Sequence, residues 1–201
     1  MKGVKFYMNN FTKAELKKNR KYLELLSRNF PNITSSVSEV VNLRAILNLP
    51  KSTEHFLTDI HGENEAFNHV MQNASGAIRR KVMDELGSTV ALEDLEELVP
   101  LIYYPSEKLE LIKQEKQGRY LENWYQLTIY RLVKVCRAAA SKYTRSKVRK
   151  TLPADFAYIM EELLQEDEHR FNKKDYYNQI IHSLVDYGRA DHFIVEISGV
   201  I

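Results

Sequence analysis

Apolar residues recur at three- and four-residue spacing along most of this chain, and few residues interrupt them. Thr12 and Glu15 form a capping-box pair, and Leu16, Leu23, Leu26 and Phe30 continue at helical spacing until Pro31 closes the segment. Ser36 with Glu39 repeats the signal ahead of Val37, Val40, Val41 and Leu47, and "NLPKST" breaks that second helix at Pro50. After Gly62, "ENEAFNHVMQN" opens with acids in its first turn and sets Ala66, Phe67, Val70 and Met71 on one face. The same periodicity predicts further helices over 77–86, 91–103, 107–117, 121–142, 154–168 and 173–187.

Two stretches depart from this pattern. "EHFLTDIHG" is a short run held between the Pro50 break and Gly62, and its Phe56 and Leu57 favour a brief strand. The final "ADHFIVEISGVI" is rich in β-branched residues, so spacing alone leaves strand and helix open there. Its apolar run without a stop signal predicts an element that continues or packs against something else. The expected fold class is therefore mainly α, with one or two short strands, and no composition shift marks an internal boundary in residues 1–201.

Composition narrows the partners. Lys and Arg number 29 against 27 acids, a net +2, so no global field points to nucleic acid. No window is apolar enough for a transmembrane span, and "MKGVKFYMNNFTKAELKKNRKYL" lacks the core of a signal peptide. Cys136 is the single cysteine, which excludes an internal disulfide framework and a zinc site built on several thiolates. A reducing, cytoplasmic setting without membrane or nucleic acid is the expectation.

The candidate chemistry lies in Asp59-Ile60-His61-Gly62. In extended backbone, residues two apart point to the same side, so Asp59 and His61 are candidate ligands for one ion. A carboxylate oxygen with an imidazole nitrogen suits Mn, Fe, Zn or similar divalent ions, and Gly62 permits a tight turn. The helix that follows presents a positive dipole end, suited to phosphate. The alternative reading is equally open: Asp59 caps that helix and His61 is a hydrogen-bonded surface histidine.

The remaining candidates read as structural. His55, His69, His169, His182 and His192 show no metal-helix spacing, although alternation puts His55 on the face of Asp59. "VDYGRADH" brings Asp, Gly, Arg and His together, with Asp191 expected as a helix cap or surface acid. The basic run "SKYTRSKVRK" reads as a solvated helix end, with an anion or acidic partner as its functional alternative. Tyr103, Tyr104, Trp124, Tyr125 and Tyr130 predict core or interface packing, and Cys136 predicts a buried small hydrophobe.

"TDIHGENEAF" resembles the first signature of the calcineurin-like metallophosphoesterases, whose D-x-H supplies ligands to a two-metal centre. The flanks "NLRAILNLPKSTEHFLTDIHGENEAFNHVMQNASGAIRRKV", "LVPLIYYPSEKLELI" and "ASKYTRSKVRKTLPADFAYIMEELL" closely resemble the N-terminal part of bacterial class III fructose-1,6-bisphosphatases. The resemblance implies hydrolysis of the 1-phosphate of fructose 1,6-bisphosphate in gluconeogenesis, usually with manganese. It makes Asp59 and His61 metal ligands, Gly62 the turn residue and Glu63 the start of the helix. It also implies an α/β metallophosphoesterase sandwich in the whole enzyme, with residues 1–76 holding the N-terminal helices and first motif and residues 77–201 a helical insertion. The later signatures of these families, G-D-x-x-D-R and G-N-H-D/E, do not occur in this chain. The expectation is an N-terminal portion, inactive by itself, whose uncovered apolar surface allows a homo-oligomer. The competing expectation is a non-catalytic helical interaction module.

Overall fold

The computed structural model describes residues 11–51, 56–73, 76–165 and 173–201. The expectations for His55, His169, residues 1–10 and the end of the 154–168 helix lie outside the described residues. The chain divides into two compact units, Met1–Leu49 and Pro50–Ile201, at the proline break that ends the second predicted helix.

The first unit contains α1 (Lys13–Lys18), α2 (Arg20–Asn29) and α3 (Ile33–Ile46). The Thr12–Glu15 capping box forms as expected: the Glu15 amide donates to Thr12 Oγ1 at 3.3 Å, and the Thr12 amide donates to Glu15 Oε2 at 2.8 Å. The single predicted helix is two, because Asn19 leaves the helical region (φ −94°, ψ 9°) to end α1 and lead into α2. The box expected at Ser36 and Glu39 sits one turn earlier. Asn32 Oδ1 accepts from the Ser35 amide at 2.9 Å, and the Ser35 hydroxyl accepts from the Asn32 amide. Asn is as good an N-cap as Ser, and the earlier start satisfies amides that a helix beginning at Ser36 would leave inside a turn. None of the three helices contains a buried residue.

The second unit runs through α4 (Asn64–Asn73), α5 (Ala77–Leu86), α6 (Leu92–Tyr103), α7 (Pro105–Glu115), α8 (Arg119–Ala140), α9 (Arg145–Thr151), α10 (Ala157–Leu164), α11 (Lys174–Asp186) and α12 (Ala190–Val200). The 22-residue α8 is the axis. Its Tyr125, Thr128, Ile129, Leu132, Val133, Val135, Cys136 and Ala139 are buried at helical spacing, and α5, α10, α11 and α12 all pack against it. Gly118 starts α8 at φ 54° and ψ −134°, a backbone conformation that disfavours any residue with a Cβ. Helices α6 and α7 pair with each other and against α12.

The C-terminal run is a helix that buries one face. Phe193, Ile194 and Ile197 of α12 are buried to within 1% and join Leu86, Leu95, Leu101, Leu132 and Met160 in one core. Its packing partner lies within this chain: α12 finds cover on α6, α7 and α8, and spacings of one, three and four residues bury a helical face. The Phe156 ring meets Phe193 edge-on at 5.3 Å between centroids.

The expected strand is not formed, and no strand occurs among the described residues. Residues 56–60 run irregularly into a turn because Asp59 (φ 63°) and His61 (φ 52°) adopt the left-handed region, which ends extended backbone. A strand also needs a neighbouring strand for its backbone groups, and none occurs among the described residues. The mainly α part of the expected fold class holds.

Candidate functional site

Asp59 and His61 do converge, though by a different route from alternation along a strand. Asp59, His61 and Gly62 all have positive φ, at 63°, 52° and 74°, and the Glu63 amide closes the turn on the Ile60 carbonyl at 3.1 Å. Asp and His are among the side chains that tolerate the left-handed region best, at a cost of roughly 1–2 kcal/mol per residue. The turn brings His61 Nε2 to 2.5 Å from Asp59 Oδ1. Both side chains are about three-quarters exposed, at 75% for Asp59 and 73% for His61. Directly behind them α4 begins, the Phe67 amide donating to the Glu63 carbonyl at 2.9 Å. The pair thus faces solvent at the amino end of a ten-residue helix, where partial positive charge gathers.

The donor set fits a divalent cation. A carboxylate oxygen and an imidazole nitrogen are ordinary ligands for such ions. It fits only in part: no group of three or more His, Cys, Asp or Glu side chains suited to an ion occurs among the described residues. Two donors leave a four-coordinate ion two ligands short. Asp59 does not cap α4 here, since its side chain is turned to His61.

The other described histidines, His69, His182 and His192, are held by packing partners. His69 Nδ1 lies 2.8 Å from the Tyr104 hydroxyl with the rings stacked, and His182 Nδ1 lies 2.8 Å from Gln126 Nε2. His192 sits between Arg189 and Glu196 and edges the Phe156 ring.

Asp191 is neither a cap nor a plain surface acid. From the first turn of α12 it accepts from Lys113 Nζ at 2.7 Å and from the Tyr125 hydroxyl, tying α7, α8 and α12 together. Burial and this bond to a carboxylate push the Tyr125 phenol upward. Cys136 is buried as expected, and burial pushes its thiol up to about 12.

The basic run forms its own helix, α9, capped by Thr144 Oγ1, which accepts from the Lys147 amide at 3.2 Å. Beside it lies a cavity of about 780 Å³ lined by Arg137, Arg145, Arg149, Glu161, Lys173 and Tyr177 among others. Arg149 pairs with Glu161 at 2.7 Å, and Arg137 Nη2 donates to the Leu163 carbonyl at 3.0 Å. The cluster in the sequence pointed to Arg145 and Arg149. Arg137 and Lys173 join them only through the packing of α8 and α11.

The sequence pattern of Firmicute fructose-1,6-bisphosphatases matches residues 21–201. The chain therefore belongs to the Firmicute fructose-1,6-bisphosphatase family. Among its relatives are proteins named fructose-1,6-bisphosphatase class 3. That of Clostridium botulinum strain Hall is 54% identical over 186 residues, and that of Clostridium novyi strain NT is 55% identical over 186 residues. Each alignment covers 92% of this chain and 28% of the relative, so the chain spans less than a third of the length of these relatives. No solved structure matches it.

Proposed function

We propose that this chain is the N-terminal portion of a metal-dependent phosphatase that hydrolyses fructose 1,6-bisphosphate to fructose 6-phosphate and phosphate. The observation that carries this reading is the convergence of Asp59 and His61 in a chain of this family, at the mouth of α4. In the reaction the phosphorus exchanges its bond to the sugar C1 oxygen for a bond to a water oxygen, and the water's proton leaves with the sugar alkoxide. Asp59 and His61 hold one edge of a divalent-metal site, with manganese the expected ion. Bound divalent ions supply an activated water and neutralise charge on the phosphoryl oxygens. The left-handed turn presets the two donors on one side, and the α4 amides face the anionic substrate.

The remaining ligands, and the α/β sandwich that would carry them, belong to polypeptide of the kind that makes up the rest of the relatives' length. The Asp59–His61 pair alone leaves the ions underligated, so this chain by itself is inactive. A cytoplasmic setting follows from a sugar-phosphate substrate and from the thiol of Cys136. No helix among the described residues is long and apolar enough to cross a membrane.

Manganese-dependent phosphate release from fructose 1,6-bisphosphate tests the reading, measured for this chain and for the chain completed with the rest of the Clostridium novyi relative. The completed protein turns over, the short chain does not, and Asp59→Ala or His61→Ala lowers kcat of the completed protein at least ~100-fold. Robust turnover by the short chain, or full activity after both substitutions, overturns it.

A further inference from the structure

Helix α3 carries a run of large apolar residues that the described structure leaves exposed. Ile33, Val37, Val40, Val41 and Leu47 fall within about 120° of its circumference, while Leu43 and Ile46 lie outside that sector, Ile46 nearly opposite its centre. An apolar sector of that width is the kind of face that a helix turns towards a packing partner. Yet all seven residues are exposed, Ile33 at 82% and Leu47 at 84%. Six of the fourteen residues of α3 are β-branched, which lowers helix propensity, and a helix of this length is marginal in water without tertiary packing. Its Asn32–Ser35 capping box nevertheless defines a sharp start. Its only charged side chains are Glu39, which lies away from that sector, and Arg44, which lies at the sector's centre, so the face carries one cation among its apolar residues.

We propose that α3 is an interior helix of a larger assembly, enclosed by the polypeptide that the class 3 relatives carry outside the aligned 28% of their length. The family match runs across α3, so in those relatives the same segment belongs to a chain more than three times longer. The occupant is thus an apolar layer of that remainder, whether joined to this chain or supplied as a separate polypeptide. It docks on Val37, Val40, Val41 and the helix ends Ile33 and Leu47. The proposal rests on family membership and on α3 alone. Loss of Asp59 and His61 as ligands would leave it standing.

Hydrogen exchange read by mass spectrometry tests it, on this chain alone and mixed with the remainder of the Clostridium novyi protein. Peptides covering residues 33–47 exchange at least ~10-fold more slowly in the mixture, while those covering residues 121–140 are unchanged. Val40→Asp with Val41→Asp abolishes that protection and leaves the exchange of residues 121–140 as it was. Equal exchange of α3 with and without the remainder overturns the proposal. So does protection that appears when this chain alone is concentrated, which assigns the face to a second copy. If the remainder is insoluble, the intact relative decides: slow exchange over the segment aligned with residues 33–47 supports the proposal, and fast exchange overturns it.

Discussion

The helices from α5 to α12 and the helices of the first unit are built from similar amounts of apolar residue, yet only one set uses them. Around α8 a contiguous core buries Val82, Leu95, Ile129, Leu132, Phe193 and Ile194, and Arg131–Asp94 at 2.7 Å and Arg149–Glu161 at 2.7 Å link helices at its surface. In α1, α2 and α3 nothing is buried, and Leu23, Leu25, Val37, Val41 and Leu43 face outward. Hydrophobic periodicity says which residues seek cover. It does not say whether the cover lies within the same chain, and here the two regions answer differently.

The sharpest way to break this contrast is to place the same charge in each region. Leu132→Asp buries an unpaired carboxylate at the centre of α8 and costs more than ~4 kcal/mol, enough to unfold the second unit in a circular-dichroism melt. Val41→Asp on α3 shifts the same melt by less than about 0.5 kcal/mol. If Val41→Asp proves as damaging, α3 already has its cover in this chain.

Next in size is Asp191→Ala. It removes one acceptor shared by Lys113 and Tyr125 and loosens α12 from α7 and α8, at about 1–2 kcal/mol because the carboxylate is partly solvated. Exchange of the α12 amides rises, and that of α1 to α3 does not change. Gly118→Ala forces a Cβ into the φ 54°, ψ −134° conformation that opens α8 and costs ~1–2 kcal/mol by urea denaturation.

The smallest effect is a pH dependence confined to the bundle. The buried Cys136 thiol holds its proton more tightly when folded than when unfolded, so its share of stability is complete below the ordinary thiol range. That share declines as pH rises from about 9 towards about 12. Reaction of native protein with a disulfide reagent at pH 8 is accordingly slow and accelerates only on unfolding. Rapid labelling in the folded state would mean that α8 opens far more readily than its packing implies.

Much of the helical layout was legible in the sequence. The 77–86 helix forms with the expected limits, and those expected at 91–103, 121–142 and 173–187 appear within two residues of their expected ends. What misled was local chemistry with two solutions. Asn32 and Ser36 are both competent caps, and the earlier one is used. The apolar run at 190–200 suits strand or helix, and the tertiary cover supplied by α6, α7 and α8 selects helix.

At the candidate site, residue types were easier to read than backbone. The approach of Asp59 and His61 to each other was expected from their spacing, but the turn that joins them depends on two non-glycine residues with positive φ, which no periodicity reveals. The roles of Asp191, Arg137 and Lys173 were likewise hidden, because their partners lie on helices distant in the chain.

The place of α12 in the core also bears on how the protein is made. About fifty residues separate the end of α8 from the start of α12, and at synthesis rates of roughly 5–20 residues per second that is a delay of about 3–10 s. Throughout that interval the nascent α8 exposes the side that Phe193, Ile194 and Ile197 later cover. The bundle therefore closes only once α12 has been made, and a chaperone acting on the growing chain before then would find its binding surface on α8.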